Sequence, residues 1–154
     1  MKFRNLSCCF WLLVLLCLAA GCSPPQVKMG LSSTANLNLN DFDEPLPVMV
    51  NIYQLSDAQP FSKASFEELW KKDLMTLGDS LLTKETLTLN PASQERLEYL
   101  RHDQARYIAV MAVFRKPEKE AWRDVRPVAD GFFKKRFSSK VTVNLKGNSV
   151  EFVD

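Results

Sequence analysis

The N-terminal apolar segment is the feature that most constrains how this chain can fold. Lys2 and Arg4 form a short basic head, and an unbroken apolar run follows at residues 10–20. This order is typical of a secretory signal peptide. A membrane-spanning helix needs roughly 20 apolar residues, so the run is too short to remain as an anchor. We therefore expect residues 1–21 to be removed and the remaining chain to fold after export.

The apolar run ends in small residues followed by a cysteine. The sequence Leu-Ala-Ala-Gly-Cys, from Leu18 to Cys22, resembles the bacterial lipoprotein box, in which the cysteine is lipidated and becomes the mature N-terminus. Ala19 departs from this pattern, which favours leucine there, and an ordinary secreted protein cut nearby is the alternative. Ser23 replaces the aspartate that resembles an inner-membrane retention signal, which favours the outer membrane. We expect a covalent lipid on Cys22 and no other cofactor.

Removal of the signal peptide changes both the charge and the cysteine content. The full chain has 20 basic and 18 acidic side chains, and the loss of Lys2 and Arg4 leaves 18 of each sign. A neutral chain has no long-range field that would attract nucleic acid. Cys22 is the one cysteine left after the cut, so an internal disulfide is excluded and stability must come from a packed core.

The chain after the cut divides into a short linker and one domain. Because Pro24-Pro25 favours an extended backbone, we interpret residues 22–29 as a lipidated tether and residues 30–154 as a single domain. Alternating or continuous apolar patterns predict strands near 35–39, 47–55, 81–89, 93–101, 107–114, 141–145 and 150–152. The strand at 47–55 is apolar on both faces, which predicts an interior position in a sheet.

One helix is predicted with a clear start and end. Ser65 and Glu68 have the spacing of a capping box, and Gly78 can terminate the helix. The apolar positions between them fall on one predicted stripe: Phe66, Leu69, Trp70, Leu74 and Leu77. Short strands with one or two inserted helices favour a mainly β fold, an antiparallel β-sandwich.

The residues do not favour an enzyme or a metal protein. His102 is the only histidine, and it lies in a polar stretch. The acids at 41–44 lack the ligand spacing of a calcium loop, and no nucleotide-binding or nucleophile motif is present. The basic cluster at 134–136 could contact a lipid headgroup or nucleic acid, but we interpret it as a charged strand end.

Several short segments carry a family resemblance, and they occur in a fixed order. They are Ile52-Tyr53-Gln54-Leu55, then Phe61, Ala64, Phe66 and Leu69, and later Phe114-Arg115 and Trp122. With the lipoprotein box, this order resembles the TssJ family of outer-membrane lipoproteins from the bacterial type VI secretion system. The resemblance implies a transthyretin-like β-sandwich with added helices, facing the periplasm. It also implies binding to the periplasmic domain of TssM and, indirectly, to TssL.

The resemblance also implies which loop contacts TssM, namely the loop between the first two strands. The matching residues are Asn40, Asp41, Phe42, Asp43, Glu44, Pro45 and Leu46. Their chemistry suits this role because Phe42 could be an apolar anchor inside a charged rim. The alternative is that Phe42 folds back onto the sandwich and closes its end.

Two other functions compete with a partner-binding lipoprotein. A carrier of a small apolar ligand or lipid would need a cavity inside the sandwich. The side chains predicted to point inward are mid-sized and suited to filling a core: Val48, Val50, Ile52, Ile108, Val110, Val141 and Val143. An envelope hydrolase would need a nucleophile–base pair, which a chain with one histidine does not offer in a recognisable motif.

Overall fold

The structure is a computed structural model that describes residues 25–128 and 139–153. The strands are β1 (Gln26–Ser33), β2 (Val48–Leu55), β3 (Leu81–Leu89), β4 (Gln94–Leu100), β5 (Tyr107–Val113), β6 (Arg123–Pro127), β7 (Ser139–Lys146) and β8 (Ser149–Val153). Between β2 and β3 lie α1 (Gln59–Lys63), α2 (Phe66–Leu77) and a 3-10 turn (Gly78–Ser80). The predicted signal peptide, Cys22 and the basic cluster at 134–136 lie outside the described residues.

The strands form two four-stranded sheets that make a β-sandwich. The first sheet has the order β4-β1-β7-β8, and the second has the order β3-β2-β5-β6. Pairings among the described strands are antiparallel except that between β1 and β7, which is parallel. The predicted mainly β sandwich is therefore confirmed, and so is the interior position of β2 between β3 and β5.

The space between the sheets is filled by alternate side chains of the central strands. β1 contributes Val27, Met29 and Leu31, each at most 2% exposed. The inward set predicted from sequence is buried in full: Val48, Val50, Ile52, Ile108, Val110, Val141 and Val143. β6 and β8 of the two sheets lie next to each other at one side of the sandwich, where the Phe152 amide donates to Asp124 Oδ2 at 2.8 Å.

The helices cover the outer face of the second sheet. Tyr53 on β2 is fully buried beneath them and donates a hydrogen bond to Asp73 Oδ2 on α2 at 3.0 Å. The predicted helix and its Ser65 cap are confirmed. The predicted single stripe is wrong at Trp70 and Leu74, which are exposed, and correct at Leu69 and Leu77, which are buried. The helix is kinked at Lys72, which has non-helical dihedral angles (φ −144°, ψ 31°), and the next residue, Asp73, is buried.

Two boundaries near the N-terminus differ from those predicted. β1 begins at Gln26, so residues 26–29 belong to the sandwich and not to a tether, with Met29 in the core. Residues 35–39 form no strand; residues 35–38 are a turn from which Leu37 enters the core. Alternating apolar residues form a strand only where a neighbouring strand pairs with them. In the first sheet that place is taken by β1 and not by residues 35–39.

Candidate functional site: a rigid loop opposite the N-terminus

The candidate loop joins β1 to β2 and spans residues 34–47. The residues predicted to bind a partner, 40–46, therefore do lie between the first two strands, although the first strand is not the predicted one. The base of the loop is bonded to the β7–β8 hairpin, since the Thr34 amide donates to Leu145 O at 3.0 Å and the Asn38 amide to Gly147 O at 2.9 Å. We call this end of the sandwich the loop pole.

Asn38 holds the base of the loop from inside. Its side chain is 3% exposed, donates to Pro47 O at 3.1 Å and accepts from the Arg115 amide at 2.9 Å. Its φ of 50° lies in the left-handed region, which asparagine tolerates better than most residues. Asn38 therefore connects the two ends of the loop to the chain beyond β5. Sequence reasoning missed this role, although an asparagine between two leucines is a weak local signal for it.

Asn40 shapes the tip of the loop. Its Oδ1 accepts hydrogen bonds from the amides of Phe42 (2.8 Å) and Glu44 (3.0 Å), and its Nδ2 donates to Glu44 Oε2 at 2.8 Å. Asp43 follows with φ 59°, and its amide donates to Asn40 O at 3.3 Å. Leu46 closes the far side through a 3.1 Å bond from its amide to Leu37 O. This bonded turn is ordered before any partner arrives.

Phe42 sits at the exposed tip of this turn. Its side chain is 84% exposed, so the interpretation of Phe42 as a plug folded back on the sandwich is wrong. The backbone bonds of the turn point the ring outward. Contact with water does not stabilise the exposed phenylalanine ring, and its large apolar surface is available for contact with another molecule.

Charged side chains of both signs surround Phe42. Asp41 Oδ1 is 2.6 Å from Lys116 Nζ, and Asp41 Oδ2 is 3.9 Å from a terminal guanidinium nitrogen of Arg115. The hydrogen bond from Lys116 lowers the pKa of Asp41, so its carboxylate is ionised at neutral pH. Asp43, Glu44 and the adjoining Pro45 are exposed. No local sequence pattern places Lys116 beside the loop, because the contact depends on where β5 ends.

The N-terminus of the domain lies at the other end of the sandwich, which we call the N-terminal pole. The Arg101 amide donates to Pro25 O at 2.9 Å, just beyond β4. Gln54, at the end of β2, donates to Leu100 O and accepts from the His102 amide, each at 2.8 Å. β1 and β2 both run between the two poles, and eight residues of strand span about 26 Å.

Two of the hollows on the surface of the described residues bear on the carrier alternative. One, of 590 Å³, is lined by α1 and β6 and includes Arg123, whose guanidinium donates to the carbonyls of Phe61 and Ala64 at 2.6 Å. The other, of 380 Å³, lies over Gly30 on the outer face of the first sheet. Both are lined by charged side chains, whereas an apolar carrier needs a cavity between the sheets, where the inward set is packed.

Within residues 25–128 and 139–153, no group of three or more histidine, cysteine, aspartate or glutamate side chains is placed to hold a metal ion. None of the helices described is both long and apolar enough to cross a bilayer.

The family model described as "Type VI secretion lipoprotein, VasD, EvfM, TssJ" matches residues 25–148. No curated protein sequence matches the chain. Among solved structures, the type VI secretion lipoprotein TssJ1 of Pseudomonas aeruginosa is similar over 85% of this chain and 96% of its own, with 24% identity and a TM-score of 0.75.

Two further structures are similar to a comparable extent. Serratia marcescens Lip, a membrane-bound component of the type VI secretion system, has 19% identity over 85% of this chain and 99% of its own, with a TM-score of 0.78. A chain in the structure described as the TssM C-terminal domain from EAEC has 20% identity over 84% of this chain and 98% of its own, with a TM-score of 0.69. At these identities the likeness shows the fold.

Proposed function

The chain belongs to the type VI secretion lipoprotein family that includes TssJ and VasD, and from this premise we propose that it is a non-enzymatic tether. In this proposal, lipid on Cys22 holds the protein in the outer membrane, facing the periplasm. The loop at residues 40–46 binds the periplasmic domain of TssM and connects the protein, indirectly, to TssL. The observation that carries the proposal is the position of the exposed, bonded loop at the pole opposite the N-terminus.

The separation of the two poles allows both attachments at once. Pro25, three residues after Cys22, begins the described chain at the N-terminal pole, whereas Phe42 lies beyond the other ends of β1 and β2. A sandwich about 26 Å long therefore separates the membrane from the partner. A protein bound at Phe42 meets no obstruction from the bilayer.

The loop has the composition of a small binding hot spot. Phe42 supplies one apolar anchor, and Asp41, Asp43, Lys116 and Glu44 supply a charged rim around it. Anchors of this kind contribute most of the binding free energy of an interface when they enter a pocket, while rim charges mainly set specificity and association rate. Because the bonds of Asn40 already order the turn, less conformational entropy is lost on binding.

The test measures affinity of the full mature protein for the purified periplasmic domain of its cognate TssM. We expect Phe42→Ala to weaken the Kd about 30-fold, from a truncation cost of about 2 kcal/mol. Adding Asp43→Lys should weaken binding further. Thermal unfolding should barely change, because the Phe42 ring is 84% exposed.

The matched control is Met75→Ala, which removes a side chain that is 82% exposed on α2. This variant should bind the TssM domain like the wild type. The proposal fails if the wild type does not bind the domain, or if Phe42→Ala and Met75→Ala bind it equally well. A large fall in melting temperature for Phe42→Ala with affinity intact would show that Phe42 acts in the fold instead.

A further inference from the structure

Helix α2 presents an apolar surface that the sandwich does not cover. Trp70, Leu74 and Met75 are 47%, 65% and 82% exposed, and we call these three side chains the α2 patch. Trp70 precedes the kink at Lys72 and Leu74 and Met75 follow it, so the three exposed side chains flank the kink on one helix. Most large apolar side chains of the described chain are buried, so three exposed ones on one short helix form an unusual surface.

The α2 patch is held outward by buried contacts. Asp73, 8% exposed, accepts from the Tyr53 hydroxyl at 3.0 Å and from Lys84 Nζ at 2.5 Å. These bonds keep the turn after the kink at Lys72 in one orientation. Leu74 and Met75 follow directly, and they cannot rotate into the core unless Asp73 gives up its partners.

The second half of α2 lies toward the N-terminal pole. The 3-10 turn after α2 leads into β3, and the Ser56 amide donates to Ser80 O at 2.9 Å. Leu55, at the end of β2, pairs with both Leu81 and Tyr107. The first turn of α2 lies further along the sandwich, where Phe66 packs edge-on against Trp122 at 5.2 Å between ring centroids.

A lipid on Cys22 would bring this pole close to a membrane. Only Ser23 and Pro24 lie between the lipidated cysteine and Pro25, and the three extended residue steps from Cys22 to Pro25 span at most about 10 Å. This step rests on the lipidation proposed above. The N-terminal pole would then be near the headgroups, and the α2 patch would face the interface between lipid and water.

The chemistry of the α2 patch suits that interface. Tryptophan is enriched where membranes meet water, and apolar side chains beside cations are typical of helices that lie on a lipid surface. The Lys71 ammonium is 5.3 Å from the centroid of the Trp70 ring, and Lys72 is exposed beside it. We propose that α2 docks on the membrane that holds the Cys22 lipid, with Trp70, Leu74 and Met75 inserted at the headgroup boundary.

The test uses tryptophan quenching in vesicles that carry the chain from Cys22 onward, which keeps every described residue. Because Cys22 is its one cysteine, a maleimide phospholipid attaches the chain to vesicles whether or not cells lipidate it. The vesicles contain phosphatidylethanolamine and phosphatidylglycerol with or without brominated acyl chains. From Cys22 onward the chain has two tryptophans, Trp70 and the buried Trp122.

We expect brominated lipid to quench the wild type about threefold more than Trp70→Phe, since docking places Trp70 at the acyl boundary. Leu74→Gln with Met75→Gln should reduce the quenching of Trp70. Phe42→Gln is the control, because it alters an exposed apolar residue at the loop pole, away from the membrane in this proposal, and it should leave quenching unchanged.

Equal quenching of the wild type and Trp70→Phe would overturn the inference, because the α2 patch would then face water or another protein. Failure of the tether proposal has a different signature. Mass spectrometry of the protein from cells would show an unmodified Cys22, whereas the quenching result on chemically attached protein would stand.

Discussion

Individual asparagines determine the geometry of the candidate loop. Asn38 and Asn40 are two residues apart, yet one is buried at the base of the loop and the other shapes its tip. The buried residue should control folding stability, because its side chain satisfies backbone groups that are shielded from water. The residue at the tip should control the orientation of Phe42.

We expect Asn38→Ala to lower the free energy of unfolding by about 3 kcal/mol. Part of the loss is the unpaired Arg115 amide and Pro47 carbonyl, at about 1–3 kcal/mol, and part is the left-handed φ, at about 1–2 kcal/mol for alanine. Unfolding in guanidinium chloride measures this decrease in the free energy of unfolding. Asn38→Gly removes the same bonds but accepts the φ of 50°, so it should recover about 1 kcal/mol. Equal losses in both variants would contradict the contribution of backbone strain.

The exposure of Phe42 shows where residue-level prediction stops. The segment at 40–46 was identified through its family resemblance, and its mixed composition agreed with a binding loop. The outward orientation of Phe42 depends on the hydrogen bonds of Asn40 and on the ion pair between Asp41 and Lys116. The Asn40 bonds form a local turn that the sequence could have indicated. The ion pair joins residues far apart in the chain, so no local sequence pattern predicts it.

At the scale of elements, α2 depends on its N-terminal cap. The Ser65 amide and hydroxyl both donate to Glu68 Oε2, at 2.8 and 2.7 Å, and the Glu68 amide donates to Ser65 Oγ at 3.4 Å. We expect Ser65→Ala to cost about 1 kcal/mol of unfolding free energy. Ser62→Ala on α1 is the control, because no hydrogen bond of the Ser62 hydroxyl occurs among the described residues, and it should cost much less.

The Ser65 cap should also depend on pH. Hydrogen bonds from Ser65, the backbone bond first, lower the pKa of Glu68 below its ordinary value of 4.5. A carboxyl group with a lowered pKa in the folded state stabilises the fold above its unfolded pKa and loses that contribution as pH falls through the folded value. The stability gap between the wild type and Ser65→Ala should therefore narrow below pH 4.5 in thermal unfolding. A gap that widens on acidification would contradict this assignment.

Elements with strong local signals were predicted well, and β1 was not. The capping box and the two-sided β2 each have their signal within a few residues. Val27, Met29 and Leu31 alternate just as clearly and are buried, but Pro24-Pro25 led to the interpretation of residues 22–29 as a tether. Residues 35–39 alternate equally well and form a turn. The alternation of apolar residues cannot by itself distinguish the strand at residues 26–31 from the turn at residues 35–39, because strand pairing decides which segment joins the sheet.

At the scale of the whole molecule, folding and attachment should be separable. Cys22 precedes the described domain, and the buried core of the described residues begins at Val27. We expect Cys22→Ser to give a folded protein that binds the TssM domain with wild-type affinity and no longer sediments with membranes. Thermal unfolding, the affinity measurement with the TssM domain and fractionation of cells measure these three properties. A variant that remained in the outer membrane would show that something other than the lipid holds it there.

Strand β1 is the direct covalent path between Cys22 and the loop that carries Phe42. It is hydrogen-bonded along both sides, to β4 and to β7. A pull between the membrane and a partner would act along the strand, perpendicular to the hydrogen bonds of both ladders. Those bonds would then be loaded in shear and would have to yield together, whereas a strand peeled from one end loses them singly. Under the proposed tether function, the pairing of β1 on both sides would therefore let the domain resist tension along its long axis.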